Sequence, residues 1–319
     1  MPYPTSYTGR LAPSPTGLLH LGHARTFFIA HQRARAANGT LYLRDEDLDP
    51  QRSRPEFSIA MREDLHWLGL TWDAELRQSD RLSLYRAALH QLLAAGLAYP
   101  CTCSRRDLAQ STQAPHEDPA DEPDDEPIYN NHCRPTITAP ATNLSSRPEA
   151  HRGPRRAHLL AGVEQPQWRD PQLEPPQRFR PNTNYRFRIP NDHQPITFTD
   201  LHAGPQSFTP AIDFGDFLIW RKPLTSNPND IGLPSYQLAC VVDDALTQIT
   251  EVVRGRDLLK STARQILLQR ALSYPTPAYF HCDLMRDANG IRLAKRHDAL
   301  SLHTLRTNGL TLADILAMF

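Results

Sequence analysis

Two histidines at residues 20 and 23 stand where a loop rich in Pro and Gly runs into a helical pattern. Such a loop offers a phosphate group the imidazole donors of His20 and His23, together with the open backbone N–H groups of a helix N-terminus. Gly17 and Gly22 lack a Cβ, so a nucleotide can lie close to the backbone there. A bare His-x-Gly-His is as often a solvent-facing loop, but the preceding Ala-Pro-Ser-Pro-Thr-Gly favours a nucleotide site.

A second candidate for phosphate contact lies near the C-terminus, where a glycine turn at Gly290 precedes Arg292, Lys295 and Arg296. A lysine in such a turn can reach the phosphates of a bound nucleotide and stabilise the charge that develops during displacement at phosphorus. Alone, the turn is typical of ordinary basic surface. Paired with the two histidines across a parallel α/β sheet, it indicates nucleotide chemistry.

Three of the five cysteines form a candidate metal site. Cys101 and Cys103 lie too close together in the chain for a typical disulfide. With Cys133 they would supply three thiolates to a tetrahedral zinc ion, provided that a fourth ligand exists. Spacing alone favours His132 over Tyr129 as that ligand, because zinc sites are built mainly from Cys, His and carboxylates. The alternative is three unrelated reduced cysteines.

Length and composition limit the class of protein. The 319 residues predict roughly two or three domains, and the formal net charge of zero gives no argument for a nucleic-acid partner. Residues 147–188 nevertheless hold nine arginines against four acids, which fits a basic face and a solvated surface equally well. No apolar run approaches the about 20 residues that span a bilayer, and no export signal begins the chain. We therefore expect a cytoplasmic protein.

Apolar periodicity predicts an α/β order of elements. A strand at 7–11, a helix at 22–37 and a strand at 41–43 are expected to form a parallel βαβ unit. Cys240 and Cys282 stand in apolar, strand-like runs and are predicted to be buried free thiols. The other predicted elements are helices near 57–68, 82–92 and 261–271, strands at 185–189, 196–200, 217–220 and 249–254, and a helix or strand at 236–244.

Four segments together resemble the class I aminoacyl-tRNA synthetases, and among them the glutamyl branch. They are Gly-Arg-Leu-Ala-Pro-Ser-Pro-Thr-Gly at 9–17, Leu-Arg-Asp-Glu-Asp-Leu-Asp at 43–49, Val-Val-Asp-Asp at 241–244 and Glu-Val-Val-Arg-Gly-Arg-Asp-Leu-Leu at 251–259. In that family a His-Ile-Gly-His-type element and a Lys-Met-Ser-Lys-Ser-type loop flank ATP. The resemblance implies an α/β fold, with a Rossmann-type parallel-sheet catalytic domain split by a zinc-bearing insertion and followed by a short helical C-terminal segment.

The resemblance also implies a division of the chain. The first half of the catalytic domain would occupy 1–97, a zinc-binding and acceptor-contact insertion 98–195, the second half 196–260, and a helical segment with the Lys-rich ATP loop 261–319. Within the insertion, the acidic and Pro-rich residues 111–127 are predicted to form a disordered loop.

Particular residues acquire roles through the resemblance. Arg10 would suit the side-chain carboxylate of glutamate because its fork donates two hydrogen bonds, and Glu46 would accept the ammonium group. The implied glutamate site comprises Arg10, Leu11, Ala12, Pro13, Ser14, Glu46, Tyr236 and Arg254. The implied catalytic residues are His20, His23 and Lys295, and Gly22 and Arg292 complete the ATP site. The loop departs from the family pattern at Arg292 and Ala294; because the basic charge survives, we expect activity.

The glutamyl-queuosine branch of the family carries a Cys-x-Cys…Tyr-x-x-x-Cys pattern that binds zinc through the tyrosine. The resemblance therefore implies Tyr129 as the fourth ligand beside Cys101, Cys103 and Cys133, around one structural Zn²⁺ per chain. Mg²⁺ would accompany ATP.

The acceptor is implied by the length of the chain after the Lys-rich loop. A full glutamyl-tRNA synthetase continues with a helical anticodon-binding region, whereas only 23 residues follow Arg296 here. The implied reaction is ATP-dependent activation of L-glutamate to glutamyl-adenylate and transfer of glutamate to the queuosine base at the wobble position of tRNA(Asp). We expect a monomer that does not associate with membranes. The alternatives are a truncated synthetase that charges a tRNA 3′ end and a non-catalytic RNA-binding paralogue.

Overall fold

The computed structural model describes residues 6–103, 128–136, 179–180, 182–225, 230–285 and 301–319. Strands and helices alternate along these ranges in an α/β order. The strands are β1 (Thr8–Leu11), β2 (Thr40–Asp45), β3 (Ala74–Arg77), β4 (Ala98–Cys101), β5 (Asn184–Phe187), β6 (Ile196–Asp200), β7 (Gly204–Phe208), β8 (Phe217–Arg221), β9 (Leu233–Pro234), β10 (Glu251–Gly255) and β11 (Ala278–Cys282). The helices are α1 (Leu21–Ala36), α2 (Pro55–Trp67), α3 (Leu82–Ala94), α4 (Tyr236–Leu246), α5 (Leu259–Leu272), α6 (Leu302–Thr307) and α7 (Leu312–Leu316).

The predicted βαβ unit is present at the N-terminus. Strands β1, β2 and β3 form a parallel sheet in that order, with α1 and α2 as the crossovers. Helix α1 ends where Asn38 takes a left-handed conformation (φ 48°) and Gly39 follows. Gly39 lies so close to Tyr7 that a Cβ there would come within 2.5 Å of the Tyr7 carbonyl oxygen. The glycine therefore allows β1 and β2 to pair directly after the helix.

A second parallel pair, β10 and β11, joins the first sheet across more than 200 residues of sequence. The backbone N–H of Thr250 donates to the carbonyl oxygen of Thr8, and the Thr250 hydroxyl accepts from the Thr8 N–H, both over 2.9 Å. Val253 and Cys282 pack in the same apolar core as Leu11 and Leu43. The parallel-sheet α/β fold that the sequence predicts is confirmed, and the segment predicted as helical at 261–319 contains strand β11 as well.

The middle of the chain forms an antiparallel sheet in the order β4-β5-β8-β9, beside a β6–β7 hairpin. Its inward side chains, Tyr185, Phe187, Phe217 and Trp220 among them, belong to a core that also includes residues of α3, α4 and α5. The predicted domain boundary between 195 and 196 passes through this sheet, because β8 hydrogen-bonds to β5 from the other side of the boundary. Local composition does not show which strands far apart in the sequence will pair. The predicted disordered loop 111–127 lies outside the described residues.

Helix α4 corrects the strand-like interpretation of the run around Cys240. Every residue from Gln237 to Asp244 is buried, in a helix that begins at Tyr236 with Ser235 as its cap. A helix enclosed on all sides has no polar face, so its sequence loses the helical period and resembles a buried strand. The prediction of buried free thiols is confirmed for both Cys240 and Cys282.

The C-terminal helices pack back onto the N-terminal half. Leu302 of α6 and Ile315 of α7 are buried in the core that contains Leu11, and the Leu302 N–H donates to the Leu19 carbonyl oxygen over 2.7 Å. Ser301 forms an antiparallel bridge with His20. The chain therefore returns from the Lys-rich segment directly to the start of α1.

Candidate active site

His20 and His23 build the N-terminus of α1. His20 is the N-cap residue, and its Nδ1 accepts from the Gly22 N–H over 3.1 Å, while His23 Nδ1 accepts from the His20 N–H over 3.4 Å. The two rings stack with centroids 3.8 Å apart. A Cβ on Gly22 would meet the His20 ring at 3.0 Å, so the glycine leaves space for the capping imidazole. The histidines thus present a paired imidazole surface at a helix N-terminus, where anions are favoured.

Arg292 and Lys295, the other predicted phosphate contacts, lie outside the described residues. The chain is next described at Ser301, six positions after Lys295 and bridged to His20. Their role at ATP stays a prediction. The bridge shows that the chain, where it is next described after them, lies beside His20.

Residues 10–14 and Glu46 come together at the carboxyl ends of β1 and β2. Arg10 is buried, and its Nη1 donates to the Val253 carbonyl oxygen over 2.8 Å, while its Nε has no hydrogen-bond partner. The Pro13 carbonyl accepts from the Glu46 N–H over 3.0 Å, and the Ser14 hydroxyl lies 3.5 Å from Glu46 Oε2. Leu11 and Pro13 are buried beside Arg10, with Ala12 between them half-buried. Carboxyl ends of parallel strands are where ligands bind in open α/β sheets.

One oxygen of Glu46 is saturated by protein donors. Arg44 donates to Glu46 Oε1 from both Nε (3.1 Å) and Nη2 (2.9 Å), and the Cys240 thiol lies 3.4 Å from the same oxygen. Within the part of the chain that the structure describes, the second oxygen, Oε2, has the long contact to Ser14 as its hydrogen bond. Glu46 is thus oriented with Oε2 available for a cationic ligand group, although the residue itself is only 8% exposed.

Tyr236 and Arg254 meet at the other side of the same site. Arg254 Nη1 donates to the Tyr236 hydroxyl over 3.3 Å, and burial of that hydroxyl raises the pKa of Tyr236, with Cys240 adding to the effect. All five N–H groups of Arg254 face protein acceptors, in the side chains of Tyr236, His281, Gln265 and Thr262 and at the Leu258 carbonyl. In this arrangement Arg254 holds Tyr236 and does not extend a free N–H group to a ligand.

Several residues around this pocket were missed by sequence reasoning. Arg44 and Asp244 belong to quoted motifs, yet nothing in the sequence assigned them a role. His281 is a single polar residue in the apolar run around Cys282, which is a signal in the sequence, whereas Asp200 ends a predicted strand that already contains two threonines and gives no such signal. All four are buried, and His281 and Asp200 make a 2.6 Å contact between Nδ1 and Oδ2.

The three cysteines of the candidate zinc site converge at the end of β4. The sulfurs of Cys101, Cys103 and Cys133 all lie within 4.8 Å of one another, and together they could hold a metal ion. The Tyr129 hydroxyl is 3.5 Å from Cys101 Sγ and 3.6 Å from Cys103 Sγ, whereas His132 is exposed. Tetrahedral zinc with Zn–S bonds of about 2.3 Å separates two sulfurs by about 3.8 Å and a sulfur from an oxygen ligand by about 3.5 Å. The four-atom set fits those dimensions.

Protonation within the cluster depends on its internal hydrogen bonds. Burial opposes ionisation of Cys133, but the Tyr129 hydroxyl and Thr102 hydrogen-bond to its sulfur and lower the pKa of Cys133 to about 6. Burial, reinforced by the neighbouring thiols, raises the pKa of Tyr129. A thiolate is therefore readily available to a metal, whereas the phenol needs a cation to ionise.

A buried carboxylate connects the cysteine cluster to the antiparallel sheet. Asp216 accepts from the Tyr99 hydroxyl (2.5 Å), from Arg134 Nη1 (3.1 Å) and from the Ile189 N–H (2.9 Å). Arg186 donates to the Asp216 carbonyl oxygen and stands over the Tyr129 ring at 4.1 Å from its centroid. Arg134, which follows Cys133, and Tyr99, two residues before Cys101, are thereby both held by the residue that precedes β8.

The fold and these two sites define a class of protein. The family model of the class I tRNA synthetase catalytic domain (E and Q type) matches residues 7–151 and 177–316. The chain therefore belongs to the class I tRNA synthetases of the E and Q type, and the predicted resemblance to the glutamyl branch is confirmed.

Relatives within this family are similar over nearly the whole chain. The Glutamyl-Q tRNA(Asp) synthetase of Symbiobacterium thermophilum is 42% identical over 310 residues, which cover 94% of this chain and 81% of the relative. The Glutamyl-Q tRNA(Asp) synthetase of Rhodobacter capsulatus is 38% identical over 315 residues, which cover 96% and 97%.

A solved structure shares the fold. The glutamate tRNA ligase from Elizabethkingia meningosepticum, in complex with its amino acid, superposes with a TM-score of 0.65 at 25% identity over 96% of this chain. The match covers 53% of the ligase, so the chain spans about half the length of that protein. No helix within the described residues has the length and apolar character needed to cross a membrane.

Proposed function

We propose that this chain activates L-glutamate with ATP and transfers it to the queuosine base at the wobble position of tRNA(Asp). Two relatives that match nearly all of the chain, and of which the match covers 81% and 97%, carry the name of that activity. The class I family to which the chain belongs supplies the two-step chemistry of adenylate formation and transfer.

The observation that carries the proposal is the paired charge of the amino-acid pocket. Arg10 brings a buried guanidinium whose Nε lacks a hydrogen-bond partner, and Glu46 brings a carboxylate with one saturated oxygen. Both lie at the carboxyl ends of neighbouring parallel strands. A substrate with an ammonium group and a second carboxylate matches this arrangement, because Glu46 Oε2 and Arg10 Nε would each gain a charged hydrogen-bond partner in addition to their ion-pair partners in the protein, Arg44 and Asp244.

The mechanism requires positioning and charge stabilisation, without a nucleophilic side chain. The α-carboxylate of glutamate attacks the α-phosphorus of ATP and displaces pyrophosphate. A queuosine hydroxyl then attacks the mixed anhydride and displaces AMP. His20, His23 and Gly22 would face the phosphates at the N-terminus of α1, and Lys295 and Arg292 would add positive charge to the same phosphates. Mg²⁺ would neutralise phosphate charge when bound with ATP.

The cysteine cluster would hold one structural Zn²⁺ through Cys101, Cys103, Cys133 and Tyr129. The ion would supply a rigid cross-link between β4 and the segment at 128–136, and no catalytic step involves it. The cluster lies within residues 98–195, to which the resemblance assigns acceptor contact, so the ion would help to shape that segment.

The experiment uses purified protein, labelled glutamate, ATP and three RNAs: tRNA(Asp) with queuosine, tRNA(Asp) without queuosine, and tRNA(Glu). We expect label only on the first. Label on tRNA(Glu) would support the truncated synthetase instead. Absence of glutamate-dependent pyrophosphate exchange would support the non-catalytic paralogue.

A pair of variants from one acidic loop links this activity to the pocket. Glu46→Gln removes the charge that faces the ammonium group, and we expect the glutamate KM to rise about 10–100-fold, as for loss of a hydrogen bond to a charged group. Asp49→Asn removes a carboxylate three residues away whose partner is Arg52 on the surface. Its glutamate KM should stay near that of the unmodified protein.

A further inference from the structure

A buried chain of hydrogen bonds runs behind the amino-acid pocket, from the end of β6 to the start of α4. Asp200 Oδ2 lies 2.6 Å from His281 Nδ1, and His281 Nε2 lies 3.1 Å from Arg254 Nε. Arg254 Nη1 then reaches the Tyr236 hydroxyl over 3.3 Å. Asp200 and His281 lie on strands β6 and β11, and Arg254 lies between them and Tyr236.

The direction of each hydrogen bond follows from the chemistry of arginine. A guanidinium has N–H groups only, so Arg254 Nε must donate and His281 Nε2 must accept. The hydrogen of the neutral imidazole therefore resides on Nδ1 and is donated to Asp200. His281 is fully enclosed, and burial lowers its pKa to about 4, against the attraction of Asp200. The ring is neutral near pH 7, in one defined tautomer.

Arg254, at the last hydrogen bond of this series, determines where the Tyr236 hydroxyl points. Its oxygen accepts from Arg254, so its own hydrogen is directed away from the guanidinium. The remaining N–H groups of Arg254 donate to Gln265 Oε1 (2.9 Å), Thr262 Oγ1 (2.7 Å) and, at the limit of 3.5 Å, the Leu258 carbonyl. These contacts prevent the guanidinium from turning, which leaves Tyr236 as the donor at the pocket.

We propose that Asp200 and His281 are positioning residues for the amino-acid substrate: Asp200 selects the tautomer of His281, and His281 orients Arg254 so that Tyr236 donates its hydroxyl hydrogen to a substrate carboxylate. This inference rests on the proposed function and on the glutamate site that the family resemblance implies, to which Tyr236 and Arg254 belong.

Asp200→Asn tests the tautomer directly. Oδ2 of Asp200 faces His281, and the other carboxylate oxygen, Oδ1, already accepts hydrogen bonds from the backbone. Oδ1 accepts from the backbone N–H groups of His202 (3.0 Å), Ala203 (2.7 Å) and His281 (3.2 Å). The amide oxygen of Asn must keep that place, and its NH₂ group must then face His281 Nδ1. The ring hydrogen moves to Nε2, which then no longer accepts from the Nε–H of Arg254 and faces Thr262 Oγ1, 3.1 Å away, as a donor.

Two measurements follow the Asp200→Asn variant. Long-range ¹H–¹⁵N spectra of ¹⁵N-histidine-labelled protein, with His281 assigned through His281→Gln, report the tautomer without reference to activity. Pyrophosphate exchange reports KM for glutamate and for ATP separately. We expect the His281 hydrogen to move from Nδ1 to Nε2, the glutamate KM to rise about tenfold or more, and the ATP KM to stay within about twofold.

A second pair of variants keeps the test decisive if Asp200→Asn folds poorly. His281→Gln places an amide oxygen where Nε2 was, so it can still accept from Arg254, whereas His281→Leu cannot. We expect His281→Gln to retain a glutamate KM well below that of His281→Leu. His202→Gln, at an exposed histidine paired with Asp283, is the matched control and should behave as the unmodified protein.

The outcomes separate this inference from the proposed function. An unmodified protein without glutamate-dependent exchange contradicts the proposed function and the positioning role with it. If the unmodified protein is active, an unchanged glutamate KM in Asp200→Asn, or equal KM values for His281→Gln and His281→Leu, overturns the positioning role alone.

Discussion

Arg44 and Asp244 form a buried ion pair of 2.5 Å that joins strand β2 to helix α4 across 200 residues of sequence. Arg44 also donates twice to Glu46, and the same oxygen of Asp244 lies 3.7 Å from Arg10 Nε. Positive and negative groups therefore alternate from Arg10 to Glu46. Arg10 and Glu46, the two charged residues of the pocket, belong to one network of ion pairs. A change at Arg44 or Asp244, in its centre, therefore affects both.

The Arg44–Asp244 pair is expected to matter for stability far more than a surface pair does. Arg44→Met removes the cation that lies between the buried carboxylates of Glu46 and Asp244, and we expect a loss of about 3–5 kcal/mol in the free energy of unfolding. Arg52→Met breaks the surface pair with Asp49 and should cost no more than about 1 kcal/mol. Urea unfolding of both variants checks this, and equal losses would refute the special role of Arg44.

Gly22→Ala should fail to stabilise α1 and should weaken ATP binding. Replacing a helical glycine by alanine ordinarily gains about 1 kcal/mol. Here the new Cβ would stand 3.0 Å from the capping ring of His20 and displace it. We expect no gain in Tm and a raised ATP KM. Gly17→Ala, whose Cβ meets nothing within 4 Å, controls for the effect of a methyl group in the same loop on folding. A stabilised Gly22→Ala with normal ATP KM would contradict the geometry.

The choice between Tyr129 and His132 as zinc ligand predicts a difference between two variants. We expect about one zinc per chain in the unmodified protein and in His132→Ala, a weaker hold on zinc in Tyr129→Phe, and loss of zinc in Cys133→Ser. Metal analysis after competition with a chelator measures all four. Zinc retained by Tyr129→Phe and lost by His132→Ala would reverse the assignment, and zinc near zero in the unmodified protein would leave three unrelated cysteines.

Burial of Asp64 is expected to make the folded protein less stable as pH rises, the opposite of the usual effect of a carboxylate in an ion pair. Its carboxylate is buried without a hydrogen-bond partner, 3.6 Å from Arg306, and burial raises the pKa of Asp64 to about 6 despite the attraction of Arg306 and His303. A raised carboxyl pKa contributes stability below the unfolded pKa of about 4, and this contribution is lost as pH rises through about 6.

Asp64→Asn removes that dependence. We expect the variant to be more stable than the unmodified protein at about pH 7.5, with the difference shrinking toward about pH 4, where Asp64 is protonated. Thermal unfolding across this range measures the difference. A variant that is less stable at about pH 7.5 would mean that the Arg306 ion pair outweighs the cost of burying the charge.

The βαβ unit could be predicted because its signals are local. The apolar runs of β1 and β2, the helical period of α1 and the Asn38-Gly39 end signal all lie within a short stretch of chain. Helix α4 could not be assigned, since burial on all sides removes the period that distinguishes a helix from a strand. The link of β8 to β5 could not be predicted for a different reason: the β6–β7 hairpin lies between the two strands in the chain, and local patterns do not show which strands pair.

The residue types and motifs of this sequence determined the family, the α/β class and a set of candidate side chains for phosphate, glutamate and zinc. Only the tertiary structure decided how those side chains are used. It brought Tyr129 rather than His132 to the three sulfurs, directed all of the Arg254 donors to protein acceptors, and placed Asp200 and His281 behind Tyr236. Sequence spacing carries the chemical type of a side chain, whereas hydrogen-bond direction and burial arise from contacts between strands that are far apart in the chain.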